Sequence, residues 1–140
     1  MRRKPKRSKY GKEFKGGSGM KKARGVEVER RKRGEYGLMA RETVRLSARQ
    51  REAGRRTRRN CRSRRGKVWR NVFPAVPVTK KPREVRMGKG KGSVEYWAVH
   101  VRPGKRRYEV RGVDEKRARR ALGKVGKKRP VRTKRVKRGE

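Results

Sequence analysis

Apolar positions are sparse along this chain, and where they are patterned they fall mostly in its second half. Val94-Glu95-Tyr96-Trp97-Ala98-Val99-His100-Val101 is rich in β-branched and aromatic residues and predicts a strand. Pro103-Gly104 then signals a turn, and Arg107-Tyr108-Glu109-Val110-Arg111 is expected to return as its hairpin partner. Asp114 is a candidate N-cap for a helix in which Ala118, Ala121, Leu122 and Val125 recur at i, i+3, i+4 and i+7, one apolar face. Gly126 is the expected C′ residue, and Val131, Thr133 and Arg135 alternate as a last short strand. Lys67-Val68-Trp69-Arg70-Asn71-Val72-Phe73 predicts a further strand ended by Pro74. In the first half, Val26-Glu27-Val28 and Tyr36-Gly37-Leu38-Met39-Ala40 suggest two short strands joined across Arg33-Gly34. Ser47 and Gln50 have capping-box spacing, so a helix is expected over 48–62. The pattern is β-β-α-β-β-β-α-β. This is an α+β fold, a small antiparallel or mixed sheet with two helices packed on it.

The segment between the strands at 67–73 and 94–101 breaks this pattern. Residues 74–93 have no periodicity, and loops that long inside a compact domain are usually functional or disordered. Pro74, Pro77 and Pro82 stiffen its first half. Its second half, Arg83-Glu84-Val85-Arg86-Met87-Gly88-Lys89-Gly90-Lys91-Gly92-Ser93, alternates glycine with lysine behind two arginines. Such a loop cannot pack into a core. It can press its backbone at Gly88, Gly90 and Gly92 against phosphates, with Arg83, Arg86, Lys89 and Lys91 supplying charge where contact is made.

Composition sharpens that picture. The 140 residues hold 52 Lys and Arg against 12 Asp and Glu, a formal charge of +40. Nothing within the chain neutralises this excess, so a polyanion is the expected partner, and nucleic acid is the obvious one. Three Leu, sixteen Val, two Phe and no Ile make a thin core, one that a partner would complete. Residues 1–25 read as an extended basic arm carrying Arg2, Arg3, Lys4, Lys6, Arg7 and Lys9, interleaved with Tyr10 and Phe14, which can stack on bases. The folded domain is expected over 26–136, including the loop 74–93, and 137–140 form a basic tail. The first helix has a poor apolar stripe and is basic nearly all round, through Arg49, Arg51, Arg55, Arg56, Arg58, Arg59 and Arg62. A helix of that kind makes sense docked in nucleic acid.

Catalysis finds no support. The acids are scattered, and the single His100 falls in a strand. Gly88 to Ser93 lacks the G-x-x-x-x-G-K-[ST] spacing, and a strand follows it rather than a helix. With one Cys and one His there is no disulfide and no set of zinc ligands. No run reaches transmembrane length, and no amphipathic segment carries a bulky apolar face, so no membrane partner is expected. A nucleoid-type DNA-compacting protein would explain the charge, but not the sheet with its two tryptophans or the long glycine-rich loop.

Several blocks resemble the bacterial-type large-subunit ribosomal protein sixteen family, related to the archaeal and eukaryotic ribosomal protein ten. They are Pro5-Lys6-Arg7-Ser8-Lys9-Tyr10; Leu46-Ser47-Ala48-Arg49-Gln50 with Glu52-Ala53; Gly66-Lys67-Val68-Trp69 with Val72-Phe73-Pro74; Lys81-Pro82; Arg86-Met87-Gly88-Lys89-Gly90-Lys91-Gly92 with Glu95-Tyr96-Trp97; Pro103-Gly104; and Gly112-Val113. The resemblance implies a structural protein of the large ribosomal subunit, bound to its rRNA near the A site and peptidyl transferase centre and helping to assemble that region. It implies that the glycine-rich finger approaches A-site tRNA, with Arg83, Arg86, Lys89 and Lys91 on rRNA or tRNA backbone and the arm from Arg2 to Lys15 threaded into rRNA. Arg86 occupies a position that is hydroxylated in some bacterial members. The implied partners are rRNA, A-site tRNA and neighbouring ribosomal proteins, without homo-oligomerisation. No cofactor is implied beyond the magnesium that accompanies rRNA. The chain departs from the family at Arg51, Gly54 and Thr57 of the first helix and in its more charged 24–33 segment and C-terminal tail. Such drift suits an organellar ribosome, so a mitochondrial location is favoured over a bacterial cytoplasm or a plastid.

Overall fold

A computed structural model describes residues 4–14, 33–59, 66–128 and 131–138. The elements run β1 (Tyr36–Ala40), β2 (Val44–Ser47), α1 (Ala48–Arg59), β3 (Lys67–Arg70), β4 (Val76–Lys80), β5 (Ser93–Val101), β6 (Arg106–Arg111), α2 (Glu115–Lys127) and β7 (Thr133–Lys137). The α+β class and the two helices hold, but the strands divide into two antiparallel sheets rather than one. The first has the order β3-β6-β1-β7 and the second β2-β5-β4.

Each sheet carries its own helix. The periodic face of α2 buries Ala118, Ala121, Leu122 and Val125, and three of these close over Leu38 of β1, Tyr108 and Val110 of β6, and Val113. A second cluster joins Ala40, Leu46, Val72 and Val101. α1 packs on β2 and β5 and also touches α2, which links the two layers. Its start is fixed as expected. The Ser47 N–H donates to Gln50 Oε1 at 3.0 Å, and the Gln50 N–H donates to Ser47 Oγ at 3.2 Å, so two of the helix's orphan donors are satisfied reciprocally.

The strands depart from expectation in two places. β5 is the central strand of its sheet, with β2 on one edge and β4 on the other, so it has no edge left for β6. The Pro103-Gly104 turn instead hands the chain to the other sheet. There Gly104, at φ +82°, donates its N–H to the Ala40 carbonyl, and Ala40 donates to that of Lys105. β1 is likewise flanked on both sides, by β6 and β7; the strand expected at 26–28 lies outside the described residues. β4 lies inside the stretch read as a proline-stiffened loop. Pro77 is tolerated there because β4 is an edge strand, where a missing N–H leaves no ladder bond unmade on the solvent side.

Two helix details also change. Gly126 is not a C′ residue, because α2 continues to Lys127 and is capped by Lys128. A Cβ at Gly126 would stand 2.9 Å from Thr133 Oγ1, so the glycine serves the close approach of β7. Arg51, read with the other arginines as part of a helix basic nearly all round, is buried instead. Its guanidinium lies 5.2 Å from the Phe73 ring centroid, and its carbonyl accepts the Tyr108 hydroxyl at 2.9 Å.

Candidate nucleic-acid interface

The glycine–lysine loop is the turn of a long β-hairpin. Lys80 pairs with Ser93 at the end of the β4–β5 ladder, and residues 81–92 project beyond it. Its stalk is therefore a hydrogen-bonded ribbon rather than a proline-stiffened coil. At its root, a Cβ on Gly92 would stand 2.6 Å from the Lys80 carbonyl oxygen, so only glycine lets the strands close there. At its tip the backbone turns through left-handed conformations at Gly88 (φ +90°), Lys89 (φ +53°) and Gly90 (φ +82°). Nothing lies within 4 Å of a Cβ built at Gly88 or Gly90, so the outer face of this backbone is open to a ligand. Lys81 braces the loop from within by donating its ammonium to the Gly88 carbonyl.

Arg83, Arg86, Lys89 and Lys91 are all exposed, as is Met87 at 94%. Among the described residues no ion pair ties up Arg83, Arg86 or Lys89. Cations held this way keep their full charge for an outside anion. Lys4, Lys6, Arg7 and Lys9 of the arm are exposed too, and Lys9 lies 5.5 Å from the Tyr10 ring centroid. Arg2 and Arg3 lie outside the described residues. The arm and the finger meet. Lys12 donates to the Lys91 carbonyl at 2.8 Å, and the Lys91 ammonium sits 5.6 Å from the Phe14 ring centroid.

The arginines of α1 divide. Arg49 is exposed. Arg55 is forked onto Glu52, with Nη2 2.6 Å and Nε 2.8 Å from Oε1, and Arg56 is 3.6 Å from the same oxygen. The Arg55 hydrogen bond, outweighing the cost of burial and helped by the charges of Arg55, Arg56 and Arg70, holds the Glu52 carboxyl below its ordinary 4.5. Arg55 and Arg56 are thus less available than composition alone implies. Arg59 is the last residue of the helix.

Sequence reasoning missed two groups. The outward face of α2 exposes Lys116, Arg117, Arg119, Arg120, Lys124 and Lys127; they occupy the polar face opposite the apolar stripe and were visible in the same periodicity. Arg45 and His100 are cross-strand partners on β2 and β5. Burial, and secondarily the Arg45 charge, push the His100 pKa below its ordinary 6.5. Nothing in the sequence paired them, because β2 was not expected. Among the described residues no three His, Cys, Asp or Glu cluster as metal ligands, and no helix is long and apolar enough to cross a membrane.

Comparison with known proteins agrees with this geometry. The family described as ribosomal protein L16p/L10e matches residues 5–136. Large ribosomal subunit protein uL16 of Sinorhizobium fredii is 51% identical over 135 residues, covering 96% of both chains. The protein of the same name from Thioalkalivibrio sulfidiphilus is 50% identical over 131 residues, covering 92% of each. That from Orientia tsutsugamushi is 47% identical over 136 residues, covering 97% of this chain and 98% of its own. These relatives are bacterial and lend no support to the mitochondrial preference. The match spans nearly the whole chain and includes the arm, both sheets and the finger, and the chain belongs to the ribosomal protein L16p/L10e family.

Proposed function

We propose that this chain is a structural constituent of the large ribosomal subunit that binds rRNA through its arm, α1 and the β4–β5 finger, and that the finger helps position A-site tRNA. As a member of a ribosomal protein family it is a structural protein and not an enzyme. The observation that carries the reading is the finger itself. A hydrogen-bonded ribbon holds out a loop whose cations lack acidic partners among the described residues and whose tip backbone is open at Gly88 and Gly90. Its mechanism is charge neutralisation and positioning. Phosphate contacts fix register and orientation and read little sequence. The arm, through Lys12 and Phe14, holds the base of the loop and adds its own cations to the same surface.

The test is the triple substitution Arg86→Ala, Lys89→Ala and Lys91→Ala. Large subunits should still assemble with the chain in place, while A-site tRNA affinity falls. The slope of log affinity against log salt should become shallower by about 3, one for each phosphate contact removed. Unchanged A-site binding at every salt concentration would remove the finger from this role.

A further inference from the structure

We infer that a cleft at the root of the finger holds a single unstacked guanine of RNA, with Glu95 reading its Watson–Crick edge. This rests on the RNA-binding reading above and assigns a specific ligand to one part of that surface. The cleft, of about 320 Å³, lies where α1 begins against β2 and β5, and is lined by Arg45, Ser47, Arg49, Gln50, Glu95 and Tyr96. Its walls offer what a splayed-out base needs: an aromatic ring to stack on and cations to hold the flanking phosphates. Ser47 and Gln50 are locked together by the capping box, so that part of the wall is rigid.

Glu95 is the informative residue. In a chain of +40 a carboxylate beside Arg45 and Arg49 would ordinarily be taken up in an ion pair. The exposed Glu95 carboxylate makes neither an ion pair nor a hydrogen bond among the described residues. Strict strand alternation would also place it on the opposite face from Tyr96. A β-bulge prevents this. Val78 pairs with Tyr96 and Thr79 with Val94, which leaves Glu95 as the extra residue, in a device that re-aims side chains. Glu95 and Tyr96 therefore line the same cleft.

A carboxylate repels phosphate, so in an RNA-facing cleft it can gain only from base N–H donors. Guanine presents two of them side by side, N1–H and the N2 amino group, matching both carboxylate oxygens. Adenine and cytosine set one amino group beside a ring-nitrogen lone pair, which repels the second oxygen. Uracil sets its N–H between two carbonyls. The geometry thus selects guanine, in the way that carboxylates elsewhere select bases by their amino donors.

Kethoxal, which closes a ring across guanine N1 and N2, and dimethyl sulfate, which methylates adenine N1 and cytosine N3, test this on large-subunit particles. Four preparations are compared: particles lacking the chain, and particles carrying the native chain, Glu95→Gln or Tyr96→Leu. One guanine should be protected from kethoxal by the native chain. It should regain the reactivity of chain-free particles with either variant, while the chain's other protections persist. If both variants leave the kethoxal pattern unchanged, or if an adenine or cytosine becomes reactive in place of a guanine, the assignment fails and RNA binding stands. If the native chain protects no nucleotide at all, the RNA-binding reading fails with it.

Discussion

Glu109 sits in the middle of β6 with no exposed surface. Its Oε2 accepts the backbone N–H groups of Arg33 and Gly34 at 2.7 and 2.8 Å, and its Oε1 accepts Asn71 Nδ2 at 2.9 Å. Gly34 fits against it because a Cβ there would stand 2.8 Å from the Glu109 Cβ. The carboxylate thus anchors the chain where it enters β1 and again after β3. Glu109→Ala removes the acceptor and strands three donors, so unfolding in urea should shift by roughly 3 kcal/mol. A variant as stable as the native chain would show that water replaces these bonds. None of this was legible in the sequence. Between Tyr108 and Val110, an alternating Glu reads as the solvent side of a strand, and its burial depends on 33–34 and 71 folding across that face. Arg51 misled for the same reason: Phe73, which covers it, follows the end of a different strand.

At the scale of elements, the strongest local signals match the structure, while the short or proline-broken strands and the pairing of β5 do not. The apolar face of α2, the capping box of α1 and the β-rich run of β5 are encoded within a few residues of each other, and each stands where it was expected. β2 has only four residues, and β4 is interrupted by Pro77, so neither displays a strand pattern of its own. Without them, the Pro103-Gly104 turn signal makes β6 the natural partner for β5. Helix α2 offers a paired test of its two glycines. At Gly123 a new Cβ would meet only Arg135 Nη1 at 3.9 Å, so Gly123→Ala should stabilise by about 0.5–1 kcal/mol through helix propensity. At Gly126 the same change drives a methyl to 2.9 Å from Thr133 Oγ1, so Gly126→Ala should lower Tm relative to Gly123→Ala. Equal gains from both, measured by thermal unfolding, would mean that β7 shifts freely away from α2.

For the whole molecule the deciding quantity is charge. Among the described residues two small clusters, one of seven buried residues and one of four, oppose the chain's formal charge of +40. That imbalance makes the folded domain dependent on its counter-ions and couples binding to salt. Binding of the full chain to rRNA fragments should follow a log–log salt slope of roughly −6 to −10, as expected for that many neutralised phosphates. A slope near −1 would contradict an electrostatic mechanism. The polyanion partner and the finger were legible because single-signed charge and alternating glycine are local properties of composition. The meeting of arm and finger through Lys12, Phe14 and Lys91 was not, since it joins residues at opposite ends of a long intervening stretch of chain.

The placement of β7 beside β1 sets the order in which the protein can be built. Tyr36 finds its partner at Lys137 and Ala40 at Thr133, so that edge of the first sheet closes one of the longest loops the chain can form. Long-range closure is entropically costly and slow. The β4–β5 hairpin needs only the twelve residues between Lys80 and Ser93 to turn back on themselves. A ribosome synthesising this chain therefore releases the finger's ribbon as a local, early-forming unit. The outer edge of the sheet that anchors α2 must wait for the final strand to emerge, and truncation within β7 would spare the hairpin while leaving an edge of β1 unpaired.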